Sequence, residues 1–188
     1  IFLVAGAFVG VVGRSSAQSV AYFMLSVIPP RFAAAVLFIV ACFVSTAMGT
    51  SVGTITLLAP IAVEVAQASS FSIPLCVGTI VGGAMFGDNL SFISDTTIAA
   101  TRTQGCSMRD KFKANFRIVW PAALIICILY IFLGSSVTFI PEHGHIDWHL
   151  LIPYILLIAL ALSGVNVLAV LAIGIGINAI LGLGLCGL

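Results

Sequence analysis

Apolar stretches alternate with short polar breaks along the whole chain. The apolar stretches cover residues 1–12, 32–48, 55–68, 73–86, 116–139, 150–162 and 167–185. A helix needs about 20 mostly apolar residues to cross a bilayer, so several of these stretches are too short to cross alone. Short apolar pieces flanked by Gly, Ser, Thr and Asn are typical of broken membrane helices. The pattern predicts an all-α polytopic membrane protein with broken transmembrane helices.

Three polar breaks interrupt this apolar sequence, at residues 49–54, 87–97 and 163–166. We call residues 49–54 the hydroxyl break and residues 87–97 the acidic island. The acidic island contains Asp88 and Asp95, two of the six acidic residues of the chain. Polar and charged groups at membrane depth are expensive to bury, and they persist mainly where an ion, a proton or a substrate needs them. The acidic island is therefore the leading candidate site.

The spacing of Asp88 and Asp95 limits what the two carboxylates can do together. On a continuous helix they would share a face but lie about 10 Å apart along the axis, at a rise of about 1.5 Å per residue. One desolvated monovalent cation cannot bind both at that distance. Either the backbone unwinds between them, or the two acids have different roles. Neutral oxygens that could replace the water of a hard cation come from Asn89, Ser91, Ser94, Thr96 and Thr97.

A simpler interpretation of the acidic island stays open. Ser, Asp and Thr favour the first positions of helices, so residues 94–97 could merely begin a short helix. Asp88 would then lie near a membrane interface. We favour a site because two acids and five polar side chains fall within ten residues, which is also the chemistry needed for a proton and a cation to compete for one oxygen site.

The hydroxyl break offers uncharged oxygens between two glycines. If this segment is unwound, Thr50, Ser51 and Thr54 could complete a cation site that Asp88 or Asp95 begins. Alternatively, their hydroxyls bond to the preceding helical turn or join neighbouring helices. Farther along, Glu64 falls near the end of its apolar stretch, and we interpret it as interfacial.

Composition supports a membrane location and narrows the function. The 188 residues are 61% hydrophobic and 7% charged, whereas soluble domains carry about 25% charged residues. A net charge of +1 gives no basis for a nucleic-acid partner. The five cysteines have no metal-ligand spacing, and no hydrolase motif falls within the apolar stretches, so we expect neither a cofactor nor an enzyme. Because the chain begins and ends in apolar stretches, we interpret it as a segment of a longer polypeptide.

Basic residues are concentrated in one segment, which predicts the orientation. Five of the seven are Arg102, Arg109, Lys111, Lys113 and Arg117. Lys and Arg accumulate on the cytoplasmic side, so residues 102–115 are predicted to be a cytoplasmic loop of a multi-pass protein of the inner (plasma) membrane. A contact with anionic lipid or nucleotide is the alternative.

Residues 140–149 should then form a loop on the opposite side of the membrane. This loop contains three His and two acidic residues, which could suggest a metal cluster or a pH sensor. Trp148 beside the next apolar stretch is more typical of an interfacial anchor on a solvated loop.

The two breaks together resemble the NhaC-type sodium/proton antiporter family. The motif is G-T-S-x-G-T at residues 49–54, followed by G-A-x-F-G-D-x-x-S-x-x-S-D-T-T at residues 83–97. The resemblance covers roughly residues 32–135. It assigns Thr50, Ser51 and Thr54 to the hydroxyl signature of the family. It assigns to the acidic signature of the family the residues Asp88, Ser91, Ser94, Asp95, Thr96 and Thr97.

The resemblance implies an inverted-repeat secondary transporter that exchanges cytoplasmic Na⁺ for external H⁺ by alternating access. Residues 1–139 would form the later part of the first membrane repeat, residues 140–149 an external loop, and residues 150–188 the start of the second repeat. The partners would be the transported ions, the bilayer and the remaining half of the same chain, and an oligomer stays open. Which acid binds Na⁺ and which carries the proton also stays open.

Two residues depart from the family pattern. Phe92 stands where Pro is common, and Asn89 stands where Lys or His often occurs. These changes could alter the ion preference or the cargo, since some relatives couple the ions to organic acids. Exchange of the malate-for-lactate type and a non-transporting structural membrane subunit are the alternatives.

Overall fold

Helices account for all the regular structure in the described part of the chain. The computed structural model describes residue 7 and residues 19–69, 71–92, 94–135, 155–160, 163, 165 and 167–185. Its helices are α1 (Ala33–Met48), α2 (Ser51–Ser69), α3 (Ile73–Leu90), α4 (Asp95–Thr103), α5 (Met108–Ser135) and α6 (Val167–Leu185). A 3₁₀ turn, Pro30–Phe32, precedes α1, and residues 19–27 and 155–160 are also helical. The predicted all-α class is confirmed.

Four helical segments of the described residues are long and apolar enough to cross a membrane. They are Pro30–Met48, Ser51–Ser69, Ile73–Leu90 and Met108–Gly134. This confirms a polytopic membrane protein. The predicted loop at residues 140–149 lies outside the described residues, as does the predicted span at residues 1–12 apart from residue 7.

Two predicted spans were wrong in length. Residues 55–68 and 73–86 looked too short to cross a bilayer, but the helices are Ser51–Ser69 and Ile73–Leu90. They extend into the polar breaks because the side chains there bond to the helix itself. The Thr54 hydroxyl donates to the carbonyl of Thr50 (2.9 Å), and the Asn89 amide donates to that of Met85 (2.8 Å). Polar residues therefore continue these helices without exposing backbone groups to lipid.

The predicted basic loop is largely helical. Helix α5 begins at Met108, so residues 108–115 form its first two turns. Ser107 starts this helix: its hydroxyl accepts a hydrogen bond from the backbone N–H of Asp110 (3.2 Å) and donates to the Asp110 carboxylate (2.6 Å). This reciprocal capping satisfies an N–H group that has no partner within the helix.

The core lies where α1, α2 and α3 meet. Val44, Leu57, Val65 and Ile80 are fully buried there. Glu64 is also buried, with 5% of its surface exposed. It lies within one turn of Ile61 and Ala62, which belong to this core. Glu64 thus lies inside the helix bundle, and its place near the membrane interface stays a prediction.

Gly83 and Gly87 let α3 approach the backbone of α1. A Cβ atom at Gly83 would lie 2.7 Å from the Cβ of Ala41, and one at Gly87 would lie 2.6 Å from both the Cβ of Ser45 and the backbone nitrogen of Thr46. Real Cβ atoms essentially never show contacts under 3.0 Å. These two glycines therefore hold the closest helix pair together, as small residues do in membrane interfaces.

Replacing Gly87 by Ala should destabilise the protein, because the methyl group would force α3 away from α1. Overpacking of this kind costs about 1–3 kcal/mol. Gly78→Ala is the matched control in the same helix, since a Cβ there meets nothing within 4 Å. It should be neutral or stabilising by up to about 1 kcal/mol, as expected for Gly→Ala in a helix. Thermal unfolding of the purified full-length protein measures both, and equal shifts in Tm would contradict the close contact.

Candidate ion site

Asp88 lies in the last turn of α3, and its two carboxylate oxygens have different surroundings. Oδ2 accepts a hydrogen bond of 2.9 Å from the hydroxyl of Ser51, a residue 37 positions earlier in the chain. Oδ1 is buried and has no hydrogen-bond partner among the described residues. A buried carboxylate oxygen without a donor is costly unless something else coordinates it. The geometry of Asp88 therefore leaves one oxygen available to a cation or a proton.

The turn between α1 and α2 brings Ser51 to Asp88. Gly49 has a φ of 67°, a left-handed conformation that glycine adopts without a steric cost, and its N–H donates to the carbonyl of Ser45 (2.9 Å). The chain reverses within two residues, so Ser51 is the first residue of α2. The N-terminus of a helix carries a positive partial charge, which stabilises a nearby carboxylate.

Residues 91, 92 and 94, which lie between the two acids of the island, are not helical. Helix α3 ends at Leu90, and Ser91 is extended with φ −68° and ψ 139°. Ser94 is also extended, with φ −66° and ψ 126°, and α4 starts at Asp95. Of the two alternatives that the spacing left open, the structure has the unwound backbone.

Asp95 differs from Asp88 in its position. It is exposed and occupies the first turn of α4, where the helix dipole favours an acidic residue. The hydroxyls of Ser94 and Thr96 on either side of it bond to each other at 2.9 Å. This arrangement matches the interpretation of residues 94–97 as a helix start, and Asp95 and Asp88 lie on different helices.

The remaining predicted ligands divide into two groups. In the hydroxyl break, the Thr50 hydroxyl accepts a hydrogen bond from the backbone N–H of Gly53 (3.4 Å), and the Thr54 hydroxyl donates to a carbonyl of its own helix. Ser51 instead bonds to the acidic island, through Asp88. Within the island, Ser91, Ser94 and Thr97 are buried, whereas Asn89 and Thr96 are exposed.

Lys111 makes a contact with the acidic island that the sequence did not reveal. Its ammonium group donates to the backbone carbonyl of Asn89 and to the hydroxyl of Thr97, the latter at 2.7 Å. One turn later on α5, the Asn115 amide donates to the same Asn89 carbonyl (3.2 Å). The sequence feature that could have indicated this contact is the spacing of Lys111 and Asn115, which puts both on one helix face at the start of an apolar span. We interpreted Lys111 only as part of the basic segment that sets membrane orientation.

Comparison with known proteins places the chain among ion antiporters. The profile of the Na⁺/H⁺ antiporter family matches residues 1–135. The chain is similar to the Na⁺/H⁺ antiporter NhaC of Bacillus subtilis (strain 168), at 31% identity over 70% of this chain and 32% of that protein. It is also similar to the NhaC antiporter of Alkalihalophilus pseudofirmus, at 28% identity over 61% of this chain and 25% of that protein.

A relative of different stated activity matches over a similar region. The malate-2H⁺/Na⁺-lactate antiporter of Bacillus subtilis (strain 168) is 28% identical over 71% of this chain and 29% of that protein. The chain thus spans about a third or less of the length of these relatives. No solved structure matches the chain.

The Ser51–Asp88 hydrogen bond should be measurable as an energetic coupling. A hydrogen bond to a charged group contributes about 1.5–3 kcal/mol. The loss of stability caused by Ser51→Ala should therefore be smaller in an Asp88→Ala background than in the parent protein. The difference between the two losses should fall in that range. Unfolding of the four proteins of the double-mutant cycle measures the coupling.

The matched control for this cycle is Thr56→Ala on the same helix, whose hydroxyl bonds to the carbonyl of Val52 (2.8 Å). Its effect should add to that of Asp88→Ala within about 0.5 kcal/mol. Additivity in both cycles would mean that Ser51 and Asp88 do not interact.

Proposed function

The chain belongs to the Na⁺/H⁺ antiporter family, and from this premise we propose that the full-length protein exchanges Na⁺ for H⁺ across the cell membrane by alternating access. Na⁺ and H⁺ are the transported substrates, and the rest of the polypeptide supplies the second part of the transport pathway. The basic segment at residues 102–115 faces the cytoplasm in this proposal, as the distribution of Lys and Arg suggests.

The observation that carries the proposal is the buried Oδ1 of Asp88, which has no hydrogen-bond partner in the described part of the chain. Its companion oxygen is held by Ser51 at 2.9 Å. A carboxylate fixed on one side and open on the other can bind a hard cation through oxygen. The same atom can instead take a proton. Because one oxygen cannot hold both, binding of either ion expels the other, which is the minimal requirement of an antiporter.

The unwound backbone supports this role. Discontinuous helices in secondary transporters bring backbone carbonyls and helix ends to an ion near the middle of the membrane. Here α3 ends within one turn of Asp88, and α2 begins at Ser51. Further ligands come from the acidic island, where we propose Ser91, Ser94 and Thr97 because they are buried. Asp95, Asn89 and Thr96 are exposed and depend on the rest of the chain to enclose them.

Asp88→Asn should abolish exchange while leaving the protein folded, because the amide keeps the shape of the carboxylate but neither binds Na⁺ as an anion nor takes up a proton. Everted membrane vesicles containing the full-length protein measure this as Na⁺-dependent loss of an imposed pH gradient. The signal should fall to that of vesicles without the protein.

Asp110→Asn is the matched control for this experiment. Asp110 is exposed, and its carboxylate bonds to Ser107 at the start of α5 and not to any of the proposed ligands among the described residues. Exchange by this variant should stay within about twofold of the parent protein, since exposed charges contribute little. Full activity of Asp88→Asn, or equal loss in both variants, would refute Asp88 as the ion-binding acid.

A second candidate is cation-coupled exchange of organic acids. The ammonium group of Lys111 at the island favours it, because a carboxylate substrate needs a cationic side chain near the ion site. Proteoliposomes loaded with lactate measure it through uptake of radiolabelled malate in a Na⁺ gradient. For the leading function we expect no malate uptake above that of empty liposomes. Uptake that Lys111→Gln abolishes would favour the organic-acid exchanger instead.

A further inference from the structure

Lys111 offers a positive charge to the same oxygens that a transported cation would use. Its ammonium group donates to the Asn89 carbonyl at the end of α3 and to the Thr97 hydroxyl in the first turn of α4. These two atoms lie on either side of the junction between α3 and α4. Carbonyl and hydroxyl oxygens are the neutral ligands with which proteins replace the water of a hard cation. The ammonium group thus contacts two oxygens that such an ion could use.

Lys111 and Asp88 carry opposite charges beside the same end of α3. One carboxylate oxygen of Asp88 bonds to Ser51, and the ammonium group of Lys111 bonds to the carbonyl of Asn89, the residue after Asp88. Lys111 is only partly buried, so its flexible side chain has room to leave the island. A bound Na⁺ near Asp88 would repel this ammonium group, and the ammonium group in place would repel Na⁺.

Two neighbours of Lys111 on α5 also contact the acidic island. Asn115 bonds to the Asn89 carbonyl at 3.2 Å. Phe112 stacks on Phe92 of the island with ring centroids 4.8 Å apart. These two contacts connect α5 to the acidic island without involving the Lys111 charge. Removal of that charge therefore leaves the island attached to α5.

We propose that Lys111 is a tethered cation that occupies the acidic island between transport events and competes with Na⁺ for it. This inference rests on the proposed function, since it concerns the same site. In the empty state the ammonium group balances the charge of Asp88 and satisfies the oxygens around the break. Na⁺ enters as Lys111 withdraws, so Lys111 sets the Na⁺ concentration at which the site fills.

Lys111→Gln should increase the apparent affinity for Na⁺, because the amide can still donate hydrogen bonds but carries no charge. Because Lys111 and Na⁺ use the same oxygens, the effect should be at least that of removing a unit charge about 10 Å from a cation at an effective dielectric near 20, which is about tenfold in affinity. The Na⁺ concentration that gives half of the maximal pH response in everted vesicles should therefore fall by at least that factor. Lys111→Arg keeps the charge, and its half-maximal concentration should remain near that of the parent protein.

Lys113→Gln is the matched control, because it removes the same charge from the same helix two residues later. Lys113 lines a surface groove with Asp110 and Arg117 instead of reaching the island. Its half-maximal Na⁺ concentration should not change when choline keeps the ionic strength constant. An unchanged or higher value for a folded Lys111→Gln protein, or an equal fall in Lys113→Gln, would overturn the proposal.

A binding measurement separates this inference from the transport activity. Na⁺ should raise the Tm of the purified parent protein, and Lys111→Gln should reach the same rise at a lower Na⁺ concentration. Lys111→Met serves as a second neutral variant. If neither neutral variant folds, Lys111 is a structural residue and the proposal fails. If the parent moves no protons in response to Na⁺, the proposed function fails, and the Tm measurement still decides whether Lys111 competes for the ion.

Discussion

The backbone contact between α1 and α3 is the constraint on which the candidate site depends. Gly87 lies against Ser45 and Thr46 so closely that no side chain fits between the helices. The hydroxyl of Ser45 strengthens the contact by donating to the carbonyl of Ala84. Asp88 follows directly after Gly87, while α1 ends three residues after Ser45. The reversal at Gly49 then carries Ser51 to the carboxylate. The position of the acid and the position of its hydrogen-bond donor are thus set by one pair of touching backbones.

This constraint explains how a carboxylate can be held rigidly at the edge of an apolar bundle. Ordering a polar side chain in a low-dielectric region is costly, and each missing hydrogen bond adds to the cost. A Ser hydroxyl at the start of a helix supplies one bond together with the favourable end of the helix dipole. The other oxygen stays without a donor in the described residues. The bundle thus fixes Asp88 through one carboxylate oxygen and leaves the other oxygen able to bind a cation or a proton.

Much of this arrangement could be predicted from the sequence, and the rest could not for definable physical reasons. The polar residues 87–97 indicated the candidate site, because such residues are expensive in an apolar environment. The helix ends were mispredicted because hydropathy treats Thr54 and Asn89 as polar, although their side chains bond within the helix. Hydropathy also could not show that the Ser51 hydroxyl meets a residue 37 positions away.

The contact of Lys111 with the acidic island also could not be predicted from the sequence. Its place in a cluster of five basic residues is explained well by membrane orientation, so nothing in the local sequence required a second role. The contact with Asn89 and Thr97 exists because α5 packs beside the break. A carboxylate and an ammonium group in one poorly solvated region lower the cost of each other's burial. In the proposed cycle a cation bound at Asp88 would replace this partnership, so the two cations would be alternatives at one site and not additive contributions to its stability.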